Sequence, residues 1–100
     1  MDLAAKNLEE AGIYEQPTMA VQLKAVSLAY VQQREIVLML QITEETTRYA
    51  NENEVTFPEA MYRLAQMGAH DNVQRDLKEM HKLSVQYKKE LLQEKDGASD

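Results

Sequence analysis

The sequence predicts an all-α fold, a helical bundle built from one long helix (about 18–50) antiparallel to two shorter ones (about 57–68 and 71–95). A short N-terminal helix (about 3–11) precedes them. Three observations carry this reading. Turn-formers are scarce, with three glycines and two prolines in 100 residues, and β-branched runs are rare, so helix propensity prevails. Apolar residues recur at three- and four-residue spacing along most of the chain. Helix-start chemistry stands where the periodic stretches begin, at Asp2, at Pro17 and at Thr56-Phe57-Pro58-Glu59.

The first helix has Asp2 as its cap and Gly12 just past its end. Its apolar face, Leu3 and Leu8, is thin, and so short a helix is marginal unless it docks. Ile13 and Tyr14 are the expected docking side chains. Residues 1–17 therefore form the arm of a single helical domain spanning 1–100.

The long helix is apolar on more than one side. At about 100° per residue, Val26, Tyr30, Val37 and Leu40 fall together, next to Ala25, Ala29 and Ile36. Val21, Leu28 and Met39 lie further round. Lys24, Ser27, Arg34, Glu35 and Gln41 form a polar sector, itself interrupted by Val31, Leu38 and Ile42. Such an arc exceeds the stripe needed to cover one core face. The helix is expected to end near Ala50, with Asn51-Glu52-Asn53-Glu54 as a polar break.

Thr56 and Glu59 have capping-box spacing, and Phe57, Met61, Leu64 and Met67 are the expected apolar face of the third helix. Gly68 marks a turn. Beyond it Val73, Leu77, Met80, Ser84, Tyr87 and Leu91 repeat as a heptad seam. Tyr30 and Tyr87 are expected to be buried with the hydroxyl at an edge, and Met39, Met61, Met67 and Met80 to fill core gaps. Residues 95–100 read as a polar, disordered tail.

The formal charge of −6 is uneven. Residues 1–59 carry four Lys/Arg against ten Asp/Glu, whereas 60–100 carry seven of each. An acidic chain repels phosphate backbones, which makes nucleic acid a poor partner. With no cysteine, thiolate catalysis, disulfides and Cys-based zinc sites are excluded. Met67 and Lys78 stand three residues before His70 and His81, which rules out Glu-x-x-His metal spacing. The carboxylate pairs Glu9-Glu10 and Glu44-Glu45 lack a neighbouring nucleophile or base. No phosphate-binding loop, dinucleotide fingerprint or serine elbow occurs. No cofactor, metal or small-molecule substrate is expected.

The expected function is that of a non-catalytic protein-protein interaction module: an adaptor, chaperone or assembly subunit that buries Val21, Leu28, Val31, Leu38, Met39 and Ile42 against another chain. That chain is a second copy, giving a dimer, or another helical protein. Glu44, Glu45, Glu52 and Glu54 form an acidic patch suited to steering a basic partner. The alternative is a helix-turn-helix DNA-binding regulator using residues 57–82, with Gly68 in the turn and Arg75, Lys78 and Lys82 on the reading helix. Leu64 stands where that motif wants a small residue, and Asp76 and Glu79 dilute the positive charge. A small all-α enzyme of the chorismate-mutase type comes third, since it requires inward-pointing bases and Lys24 and Arg34 lie in the polar sector. Met1-Asp2-Leu3 has neither the basic flank nor the apolar stretch of a signal peptide, and no run is long enough to span a membrane, so the expected location is the cytoplasm.

Overall fold

A computed structural model describes residues 2–14 and 17–98, the last four as backbone only. Among them are four helices and no strand: α1 (Leu3–Glu10), α2 (Met19–Asn53), α3 (Phe57–Gln66) and α4 (Asp71–Ala98). The predicted bundle is the observed one: a long helix with two shorter ones and a small N-terminal helix packed upon it.

Local chemistry sets most boundaries. Asp2 caps α1, its Oδ1 accepting from the amides of Ala4 (3.0 Å) and Ala5 (3.3 Å). Gly12 at φ 77° ends the helix, with Ile13 N donating back to Leu8 O. Thr18 caps α2 and Thr56 caps α3 through their hydroxyls. Glu59 does not complete the capping box, because its carboxylate turns to Arg63 Nε at 3.1 Å. That carboxylate, and then the Tyr49 hydroxyl, raises the already high pKa of Arg63.

Two expected boundaries move. Asn51–Asn53 belong to α2, which ends at Glu54 in the left-handed conformation (φ 53°, ψ 44°). Nothing packs on this last turn, so its sequence is polar without being a break. Backbone helix also continues through residues 95–98 of the expected tail, while Ser99 and Asp100 lie outside the described residues.

Helix α4 runs antiparallel to α2 along most of its length. Lys24 Nζ lies 2.6 Å from Glu94 Oε1, Glu35 Oε2 4.0 Å from His81 Nδ1, and Glu45 Oε2 3.1 Å from His70 Nδ1. The paired residue numbers sum to 115–118, so the pairing drifts by less than one helical turn from end to end. At one end α1 covers this pair, and Ala11, Val21, Ala25, Leu28 and Leu91 form a core cluster flanked by Ala4, Leu8, Ile13 and Tyr87. Buried Asn7 clamps α1 in place, its Nδ2 donating to Gln32 Oε1 at 2.9 Å and Ala25 O at 3.4 Å. Ile13 docks as expected. Tyr14 does not: it is 82 % exposed.

At the other end the small residues Thr46, Ala50 and Ala60 let α3 approach α2 closely, with Leu64 beside them. The predicted face of α3 is thus rotated. Ala60 and Leu64 are buried, whereas Phe57, Met61 and Met67 face outward. Gly68 (φ 68°) turns the chain into α4, and a Cβ there would meet Asp71 Oδ2 at 2.9 Å. Between the two covered ends the molecule is only α2 and α4 thick. It measures 59 × 23 × 17 Å with a radius of gyration of 18.1 Å, against about 13 Å for a rounded 100-residue domain.

Candidate functional site

The structure divides the six predicted interface residues. Val21, Leu28, Val31 and Leu38 are buried inside the chain, Leu28 to 1 % and Leu38 to 3 % exposure, and so form its own core. Ile42 is half-buried. Met39 alone stays on the outside. The physical reason lies in the charges. Lys24 and Glu35 suggest a solvent face, yet both turn to α4, at Glu94 and His81. Bridging charges border the seam of a helix pair, so they mark the side that α4 takes.

The opposite side of α2 carries a second seam. Met19, Leu23, Val26, Tyr30, Val37 and Leu40 are all exposed, Tyr30 to 73 % and Leu40 to 54 %. Their numbers follow a four-three heptad spacing in which Gln33 fills the gap between Tyr30 and Val37. Tyr30 is therefore exposed, not buried. Only Lys24, Arg34 and Glu35 carry charge between Met19 and Thr43, and two of these face α4, which leaves Arg34 as this face's single charge. Water-facing helix surfaces are normally polar and charged. Ile36 and Met39 extend the apolar surface on the stretch that neither α1 nor α3 covers.

The excess surface has a size. The chain exposes 7288 Å² at 11.5 kDa, about 1,500 Å² more than the ~5,800 Å² that a folded monomer of this mass shows. A standard protein interface removes about 800 Å² from each partner.

The acidic patch is split. Glu44, Glu52 and Glu54 are exposed, but Glu45 reaches the His70 ring. Glu44 continues the seam's register one step beyond Leu40. His70 is buried at the α3–α4 corner. Its Nδ1 has the right distance to Glu45 but poor alignment, so neither ring nitrogen makes a well-formed hydrogen bond. His81 is solvated.

Other features fit the alternative chemistries poorly. Helices α3 and α4 each pack on α2 and scarcely touch one another, whereas a helix-turn-helix unit needs its two helices packed together. Arg75, Lys78 and Lys82 share their surface with Asp71 and Glu79. A cleft of about 100 Å³ under α1 is lined by Leu28, Leu91 and Leu92, with one cation, Lys88, and one anion, Glu10. A dianion pocket would need several cations. No described set of three His, Asp or Glu side chains is placed to hold a metal ion, and no described helix is long and apolar enough to cross a membrane.

Of the outer seam, Val26, Tyr30, Val37 and Leu40 stand out in the sequence as the tightest apolar grouping on α2, whereas Met19 and Leu23 join them only in the structure. The seam's outward orientation follows only once α4 is known to take the side of Lys24 and Glu35. Comparison of the chain with protein-family models, curated proteins and solved structures finds no match.

Proposed function

We propose that this chain is a non-catalytic helical interaction module, an adaptor, chaperone or assembly subunit, which works by covering the outer seam of α2 with another protein chain. The observation that carries the reading is the second heptad seam: six apolar side chains in register, exposed, with one charge on their face. Each fully exposed Leu, Val or Met forgoes about 1.5–3 kcal/mol relative to burial. Among the described residues, α4 occupies the core side of α2 and no helix covers this one. The acidic residues Glu44, Glu52 and Glu54 lie exposed beyond the seam's end, where they form a solvated rim rather than adding contact energy.

The test is site-specific photo-crosslinking in living cells. A photoreactive residue replacing Tyr30 should yield one discrete adduct, and the same residue replacing the exposed Lys78 on α4 should yield none. If both positions give the same diffuse labelling, the seam is an ordinary surface and the reading fails.

A further inference from the structure

Resting on that reading, we infer that the occupant of the seam is a second copy of this chain, lying antiparallel across a two-fold axis between Tyr30 and Gln33. Three observations converge on it. The first is self-complementarity. Pairing positions whose numbers sum to 63 sets Leu23 against Leu40, Val26 against Val37 and Tyr30 against Gln33. Apolar side chains thereby meet others of equal size, and the phenol meets an amide able to bond it. A two-fold contact requires one patch to match itself in this way, and it is the commonest way in which soluble chains associate.

The second observation is charge. A parallel pair would set Glu44 directly against its copy and bring both acidic ends together, in a chain that already carries −6. The antiparallel pair moves Glu44 to the rim, opposite Met19, and holds the two acidic ends apart. The seam also offers a foreign partner little electrostatic selection, since Arg34 is its one charge. A lipid surface fits less well, because membrane-lying helices flank their apolar face with several Lys and Arg.

The third observation is area. The elongated chain as a whole exposes about 1,500 Å² more than a rounded monomer of its mass, which leaves room for the ~800 Å² that each member of a standard complex contributes. A second copy that covers α2 from Met19 to Leu40 also thickens the two-helix waist, setting the two α2 helices side by side between the two α4 helices.

The experiment begins with light scattering on size-exclusion eluate at low and high protein concentration. The expected mass is twice the 11.5 kDa monomer, halved in a Leu23→Glu/Tyr30→Glu variant of unchanged helical circular dichroism. Orientation is then read in the otherwise cysteine-free chain. An equimolar mixture of Leu23→Cys and Leu40→Cys chains should form a mixed disulfide, while Leu40→Cys alone should not link to itself. These conservative cysteine variants carry the test even if the glutamate variant fails to fold. A Leu40→Cys chain that links efficiently to itself overturns the antiparallel arrangement. A dimer whose mass survives the seam glutamates uses another face and overturns the inference. A monomer at every concentration overturns it too, while a discrete adduct to a different protein at position 30 would leave the broader interaction reading standing. A monomer with no adduct sinks both.

Discussion

Leu38 and Leu40 stand two residues apart on one helix and face opposite environments, so truncating each to alanine measures directly which side of α2 is the interior. Leu38 is 3 % exposed. Removing its three outer carbons forfeits about 2.4 kcal/mol of transfer energy at ~0.8 kcal/mol per carbon, and the cavity left behind adds to this. The waist is two helices thick and collapses more readily than a deep core, so the expected cost is about 3 kcal/mol. Leu40 is 54 % exposed in the single chain, which roughly halves the transfer loss. The better helix propensity of alanine offsets part of the rest, leaving below about 1 kcal/mol. Both variants would be placed in the Leu23→Glu/Tyr30→Glu background, so that association does not mask the intrachain term. Urea unfolding followed by circular dichroism then gives the two differences. Against a typical domain stability of about 5–15 kcal/mol, the Leu38→Ala loss is large and unmistakable. Equal costs, or a larger cost at Leu40, would refute the orientation of α2.

Three other substitutions test separate features. Glu54 holds a left-handed conformation that glycine adopts without strain, so Glu54→Gly should raise stability by about 0.5–1 kcal/mol despite the entropy of glycine. A loss in urea unfolding would mean that the α2 terminus is not built this way. His70→Leu should change stability by less than about 1 kcal/mol, because the ring nitrogens it removes are buried without aligned partners. A loss above about 2 kcal/mol in the same assay would show that the Glu45 contact is a genuine buried ion pair. Asn7→Ala removes the amide joining α1 to Gln32 and Ala25 and should cost about 1–2 kcal/mol. Hydrogen exchange should then show α1 amides approaching the rates of a free peptide, since eight residues do not hold a helix alone; unchanged protection would show that α1 is held by its apolar contacts without Asn7.

Much of the fold was legible because it rests on local chemistry. The caps Asp2 and Thr56, the glycines at positions 12 and 68, and the α4 heptad each act over a few residues, so the sequence displays them directly; at α2 it points to Pro17, whereas Thr18 is the cap and Pro17 precedes it. The candidate surface was harder to read because it depends on a choice between two faces. Helix α2 has two apolar arcs on opposite sides, and periodicity weighs Val26-Tyr30-Val37 above Val21-Leu28-Leu38. The chain resolves the choice by burying Leu28, Val31 and Leu38 on the side that α4 takes, where Lys24 and Glu35 come to border the seam beside Glu94 and His81. Charges that look like a solvent face are the fastenings of a helix pair. The end of α2 was misjudged for a related reason: Asn51–Asn53 are helical without burying anything, so no packing pattern announces them. On α3 the alanine at position 60 is buried because it is small, which hydrophobicity underrates.

The antiparallel pairing of α2 with α4 also has a kinetic side. Contacts at the Gly68 corner close the shorter loops, with His70 and Glu45 lying 25 positions apart, whereas Lys24 and Glu94 are separated by 70 positions. Closing the corner first costs the least chain entropy, and each bond formed shortens the loop that the next must close. Loop-closure entropy therefore favours pairing from the corner towards the two termini like a zip fastener, with α1 set across the open end last. The same entropy makes α1, tied to α2 through Asn7, the element whose release costs the fewest contacts of the pairing behind it.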